Sequence, residues 1–349
     1  MLAGRLVMTS RGLGNWAAVT QMTVTNSVKD NLRQAAELIE QAAARGAAMV
    51  FLPEAADFIG QSREETGELS QGLGGSTVAA LREEAVRHRV WLSLGGLHVR
   101  EQGRDKLSNT HIVVDSRGEV VATYSKTHLF DVTIPGKFSL RESEYVTAGT
   151  ELVPPVATPL GLLGLGVCYD LRFPEHSQAL AGAGAQLLSF PSAFTVATGL
   201  AHWEVLLRAR AIETQTYVIA AAQVGSHNAK RTSYGHAMIV DPWGTVVAQC
   251  REGVGLAMAQ VDLSYLAEVR ANMPVQQQRR PDLYGKVSPG RRGADSFHCC
   301  RVCDGSHDDG CRGAAMSRPG RPVPGTCPLQ PSWPGPDPGR RRGAGAAAG

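Results

Sequence analysis

Glu54, Lys126 and Cys168 each close an apolar run and open a polar loop, and together they make a set able to transfer an acyl group. Glu54 ends AMVFLPE, Lys126 follows VVATY in TYSKTHLFD, and Cys168 lies in GLGVCYDLRFPE. A carboxylate, an ammonium and a thiol supply a base, a charge to hold an oxyanion, and a nucleophile. Singly, each residue has an ordinary reading. A glutamate after a strand is solvated, a strand-end lysine lies along the surface with its head in water, and a strand-end cysteine is a small buried apolar residue. Their common placement changes the balance, because layered α/β proteins assemble sites where strands give way to loops. The thiol is expected at a strand-to-helix elbow, ahead of a helix begun by Pro174, where the dipole and free N–H groups would lower its pKa. Enclosure of Glu54 would raise its pKa toward that of a general base.

The elements that must position these groups follow from the apolar pattern. Short runs over 16–24, 48–52, 90–98, 110–115 and 119–124 read as strands, and so do 162–168, 186–190, 216–222, 236–241, 245–249 and 256–261. Helical spacing marks 28–45, behind Asn26 or Ser27 as N-cap, and also 76–88, 173–182 and 202–214. Asp115 to Gly118 and Asp241 to Gly244 are hairpin turns, and residues 127–150 read as one long loop. Strands apolar on nearly every residue must be covered on both faces, which points to stacked layers.

The chain has 349 residues, 43% of them apolar, which is enough for a large core. Its net charge of +3 gathers at the end: nine Arg and five Asp in 288–349 leave −1 on the remainder. No nucleic-acid partner is therefore indicated, and no run of about eighteen apolar residues suggests a membrane span. Cys168 and Cys250 are the only cysteines before residue 288, which suits a reducing compartment and a cytoplasmic protein. The first 29 residues carry Arg5, Arg11 and Lys29 but no acid, which leaves a mitochondrial form open. Residues 1–14 read as a leader, 15–285 as the folded domain, and 286–349 as a disordered Gly/Pro/Arg-rich tail. Within the tail, Cys299, Cys300, Cys303, His307 and Cys311 include one pair at zinc-ligand spacing. A second half-site is lacking, so exposed thiols are the favoured reading and no metal is expected.

In the contexts FLPE, KTHL and CYDLRFPE the chain resembles the nitrilase, or carbon-nitrogen hydrolase, superfamily from about residue 15 to Gly285. HWEVLLRARAIETQTYVIAAAQ, SYGHAMIVDPWGTVVA and RRPDLYG are similar to Nit-type amidases, in particular those that hydrolyse deaminated glutathione. The first strand, NWAAVTQMTVT, lacks the usual family leader, and the tail has no counterpart. The resemblance implies a single-domain α-β-β-α four-layer sandwich, a homodimer or higher homo-oligomer formed through one helical layer, and no cofactor. It implies Glu54 as proton acceptor, Cys168 as nucleophile, Lys126 as proton donor and oxyanion holder, and the backbone N–H of Tyr169 as second donor. It also implies a supporting glutamate, matched better by Glu142 than by Glu144. The substrate would be a small amide: deaminated glutathione, with ω-amides such as α-ketoglutaramate, or loss of activity and a scaffold role, as alternatives. Arg172 is a candidate partner for a substrate carboxylate, or else pairs with Glu175, and Phe194 and Thr195 are candidate pocket residues. Trp243 and His236 are read as structural. A papain-like Cys–His pair would need His128, His202 or His236, none of which stands in a suitable context.

Overall fold

The computed structural model describes residues 15–134 and 138–284; the expected leader over 1–14, the tail over 286–349 and the candidate zinc ligands within it lie outside the described residues. The elements run β1 Trp16–Met22, α1 Val28–Ala44, β2 Ala47–Leu52, α2 Arg63–Leu69, α3 Ser76–His88, β3 Trp91–Val99, β4 Ser108–Val114, β5 Val120–Ser125, β6 Asp131–Ile134 and β7 Phe138–Arg141. After a 3-10 turn follow β8 Val156–Thr158, β9 Gly161–Leu165, α4 Pro174–Gly182, β10 Leu187–Ser189, α5 Val196–Thr214, β11 Tyr217–Ala220 and β12 Ala222–Asn228. Then come β13 Arg231–Tyr234, β14 Met238–Val240, β15 Val246–Gln249, β16 Gly255–Gln260, α6 Leu263–Asn272 and α7 Pro281–Tyr284.

Two sheets stack between two helical layers, as expected. The first runs β13-β12-β1-β2-β3-β4-β5, with β16 antiparallel along β1; the second runs β15-β14-β11-β10-β9-β8. Period-2 alternation explains why the strands of the first are apolar throughout. Ala17, Val19, Met49, Phe51 and Val113 face the second sheet. Their neighbours Ala18, Val50, Leu52, Leu92 and Ile112 face Leu38 and Ile39 of α1 and Leu81 of α3. On the other side, Leu180 of α4 and Trp203 and Leu207 of α5 join the core of the second sheet. The Ser27 hydroxyl caps α1 by accepting from the Asp30 amide. Gly118 and Gly244 take φ of +79° and +89° in the two hairpin turns expected there.

Several boundaries differ from the sequence reading. The run at 216–222 is two strands in different sheets: β11 belongs to the second, and the chain crosses at Ala221 to enter the first as β12. Residues 127–150 contain the β6–β7 hairpin and a 3-10 turn over Glu142–Glu144. Helix α5 begins six residues early because the Thr195 hydroxyl caps it. Trp243, read as packed, is 54% exposed in its turn. Among the described residues, no helix is long and apolar enough to cross a membrane, and no cluster of His, Cys, Asp or Glu has the form of a metal site.

Candidate active site

Glu54, Lys126, Cys168 and Glu142 come together at the ends of β2, β5, β9 and β7 and line one pocket of ≈ 630 Å³, open mouth included. That size suits a small molecule. The Lys126 side chain is only 2% exposed. Its Nζ donates to Glu54 Oε1 at 3.0 Å and to Glu142 Oε1 and Oε2 at 3.1 and 2.9 Å. A buried ammonium between two carboxylates cannot be the snorkelling lysine of the ordinary reading. Glu142, not Glu144, is the second carboxylate at the lysine: Glu144 turns outward to an ion pair with Arg63.

Each group is fixed by backbone on the far side of a chain reversal. Beyond Glu54, Ala55 adopts φ +57° and donates its N–H to Gly96 O at 3.0 Å. Gly96 sits where the β3–β4 register shifts, and a Cβ there would stand 2.6 Å from Asn109 Oδ1 and 2.9 Å from Glu54 Cγ. The Lys126 N–H donates to Asn109 O, and the Glu142 carboxylate accepts from the Phe130 N–H at 2.7 Å. Cys168 opens a 3-10 turn at φ +46°, a left-handed conformation that costs a non-glycine residue roughly 1–3 kcal/mol. Its N–H donates to Pro191 O at 2.9 Å. Two residues on, Ala193 N–H donates to Glu54 Oε2 at 3.1 Å, so one loop after β10 holds both the carboxylate and the Cys168 backbone.

Electrostatics correct two expectations. Burial raises the Glu54 pKa, but the Lys126 charge and hydrogen bonds from Cys168 and Lys126 outweigh it and hold the carboxyl below its ordinary value. Burial pushes the Cys168 thiol well up, and the Glu54 anion adds to this more than Lys126 removes. The turn Cys168–Arg172 stands between the thiol and α4, which begins at Pro174, and the backbone donor that lowers the thiol pKa is the Ala193 N–H. Lys126 is pulled down by burial but raised further by Glu142 and Glu54, so it stays charged. The resting proton therefore lies on sulfur while the carboxylate beside it is ionised. Transfer of the thiol proton to Glu54 is thus uphill in the resting site.

Of the other expected residues, Arg172 has no carboxylate at ion-pair distance among the described residues, so the Glu175 pairing is not made. Its guanidinium stands 5.2 Å from the Phe194 ring centroid and 5.8 Å from that of Tyr169, and Nη1 donates to His202 Nδ1 at 3.2 Å. Phe194 and Thr195 line the pocket, though Phe194 also packs on Trp203 at 4.9 Å. Tyr169 follows Cys168, whose own N–H is already committed, and is thus the next amide available at the turn. No papain-like pair forms: His128 hydrogen-bonds Asp170 at 2.7 Å, His202 meets Arg172, and the His236 ring meets Gln249.

Asn109, Gln223, Asp170 and Arg231 were not singled out from sequence. Asn109 Nδ2 lies 3.0 Å from both Glu54 Oε1 and Glu142 Oε1, bridging the two carboxylates. Gln223 Nε2 donates to the Glu54 carbonyl at 2.9 Å from the start of β12. Asp170, buried, accepts from the N–H groups of Val167 and His128 at 2.9 and 3.0 Å and from Tyr124 Oη at 2.8 Å. It thereby fastens the Cys168 turn to the loop after Lys126. Arg231 lines the pocket from β13. For Asn109, Gln223 and Asp170 the only sequence signal was a polar side chain inside or beside an apolar strand, and Arg231 carried none.

The carbon-nitrogen hydrolase family model matches residues 16–271. The deaminated glutathione amidase of Homo sapiens is 55% identical over 273 residues, covering 77% of this chain and 84% of that protein. The crystal structure of the C. elegans NitFhit protein superposes with a TM-score of 0.75 at 53% identity, covering 78% of this chain and 67% of that one. An amidase from Nesterenkonia sp. AN1, with acrylamide added at its active-site cysteine, gives a TM-score of 0.63 at 25% identity, covering 75% and 99%.

Proposed function

The chain belongs to the carbon-nitrogen hydrolase family and is a hydrolase of carbon–nitrogen bonds other than peptide bonds, and from that premise we propose that it hydrolyses the amide of deaminated glutathione to 2-oxoglutarate and cysteinylglycine through a thioester on Cys168. The observation that carries the chemistry is the buried Lys126 between Glu54 and Glu142 beside a protonated thiol. The substrate rests on the relatives' activity at 55% identity and on a pocket that offers Arg172 to an anionic acyl chain.

Glu54 takes the thiol proton as sulfur attacks the amide carbonyl. The oxyanion is held by Lys126 Nζ and the Tyr169 N–H; removal of such a donor typically costs about 3–4 kcal/mol. Collapse returns the proton from Glu54 to the departing amine of cysteinylglycine and leaves the 2-oxoglutaryl thioester. Water activated by the same carboxylate then releases 2-oxoglutarate. Glu142 holds Lys126 in place through both steps.

Side-by-side kcat/KM values for deaminated glutathione and α-ketoglutaramate test the substrate. The proposal expects at least about ten-fold preference for the former, the scale of a modest binding difference. Equal or reversed values would favour the ω-amidase reading, and folded protein inactive on both would favour the scaffold.

The proposal extends to assembly and place. Helix α5 leaves Leu200, Val205 and Ile212 exposed at 71, 66 and 51%, an apolar outer layer suited to a second copy. Val205→Glu is expected to convert a dimer to a monomer in sedimentation velocity, and an unchanged sedimentation coefficient would count against this face. Free thiols at Cys168 and Cys250 suit the cytoplasm or the mitochondrial matrix.

A further inference from the structure

We infer that Arg231 is a second carboxylate-recognition residue, which holds the terminal carboxylate of the leaving group while Arg172 takes the carboxylate of the acyl group. This rests on the substrate reading above and specifies how the pocket sorts among amides.

Arg231 is half-buried, opens β13 on the edge of the first sheet, and lines the same pocket as Glu54, Cys168 and Arg172. Among the described residues no carboxylate lies within ion-pair distance of its guanidinium, as for Arg172. A half-buried guanidinium with no carboxylate at hydrogen-bond distance forfeits hydration without a direct partner, and an anionic ligand supplies one. Its backbone is anchored rather than loose. Asn228 Oδ1 accepts from the amides of Lys230 and Arg231 at 2.9 and 3.0 Å, and Asn228 Nδ2 donates to Gly60 O at 3.2 Å. Two and three residues further on, β13 joins the pocket loop: Ser233 bridges Thr195, and the Tyr234 N–H donates to Phe194 O at 2.9 Å.

The charge count favours a dianion. Glu54, Glu142 and Lys126 leave the centre at −1, which would repel any acid; two guanidiniums reverse that and match a substrate with one carboxylate at each end. Position assigns the ends. Arg172 belongs to the turn that carries the nucleophile, so it faces the acyl group that becomes attached to sulfur. The Arg231 charge acts instead on Glu54 and Tyr145, the side from which Glu54 returns its proton to the departing amine. In deaminated glutathione that amine carries a glycine carboxylate.

The test compares deaminated glutathione with the analogue in which the glycine carboxylate is a carboxamide, on wild type, Arg231→Gln and Arg172→Gln. Wild type is expected to prefer the acid by about 10- to 100-fold in kcat/KM, the scale of one charge-assisted hydrogen-bonded pair. Arg231→Gln should bring that ratio to near 1, with Arg231→Lys between the two. Arg172→Gln should slow both substrates and keep the ratio. A ratio near 1 in active wild type, an unchanged ratio in Arg231→Gln, or loss of the ratio in Arg172→Gln instead would each overturn the assignment. Wild type inactive on both amides would instead remove the deaminated-glutathione reading, and this inference with it.

Discussion

Cys168→Ala is expected to lower the turnover of deaminated glutathione by about ten-thousand-fold or more, the scale seen when a nucleophile is removed and only binding and oxyanion stabilisation remain. Stability should hardly change. The thiol is neutral at rest because burial and Glu54 both push its pKa up, so its loss strands no charge. Glu54 keeps its bonds to Lys126, Asn109 and Ala193. Alanine also accepts the left-handed φ of +46° no less well than cysteine. A thermal midpoint within a few degrees of wild type, with activity gone, separates a chemical role from a structural one. Activity above about one per cent of wild type would contradict it.

Lys126→Met is expected to damage both activity and fold. Removing the cation leaves Glu54 and Glu142, each 7% exposed in the side chain, as neighbouring buried carboxylates joined only through Asn109. Breaking a buried ion pair in this way costs about 3–5 kcal/mol, and loss of an oxyanion donor costs about a further 100- to 1000-fold in kcat. The pH dependence follows from the direction of each shift. Glu54 titrates below its ordinary 4.5 in the folded state, so its contribution is present above that value and lost as pH falls through the folded pKa. Lys126 titrates above its ordinary 10.5, so its contribution is complete below that value and lost as pH rises through the folded pKa. The wild-type contribution of these groups in urea should therefore be level from about pH 5 to about pH 10 and fall outside that window, whereas Lys126→Met should regain stability as pH falls from neutral, because protonation relieves its two unpaired buried carboxylates. Lys126→Met combined with Glu142→Gln should recover part of the loss. A stability gap between wild type and Lys126→Met under about 1 kcal/mol at neutral pH would show that the pairs are not formed as described.

What the sequence disclosed and what it hid divide along physical lines. Glu54, Lys126 and Cys168 were legible because each stands at a strand end within a short motif, and strand ends are written locally. The alternation that separates Ala17 and Val19 from Ala18 explains why stacked layers were also legible, while their number, four, came from the family resemblance. By contrast, Asn109, Gln223 and Arg231 reach the site through pairings between residues far apart in the chain. The jump at Ala221 from one sheet to the other brings Gln223 to Glu54 169 residues away, and no local pattern encodes it. Arg231 follows Asn228-Ala229-Lys230, which reads as a solvated turn. Helix α6 was missed although its signal was present: Asp262 caps it, accepting from Ser264 and Tyr265, and Leu266 and Val269 face inward. The two pKa directions were inverted for one reason. The sequence reading treated Glu54 and Cys168 as separate groups meeting burial or a dipole, whereas in the fold Glu54 acts on the thiol more than any other group, and Lys126 and then Cys168 act most on Glu54.

The central claim, a thioester on Cys168, is tested most directly by mixing wild-type protein with saturating deaminated glutathione, quenching in acid within a single turnover and mapping peptides by mass spectrometry. The quench should catch the acyl-enzyme before water reaches it, with the 2-oxoglutaryl group on the peptide that carries Cys168, whereas Glu54→Gln, which lacks the base for the first step, should show none. An acyl group on any other residue, or an unmodified Cys168 peptide from protein that still releases cysteinylglycine, would contradict the account.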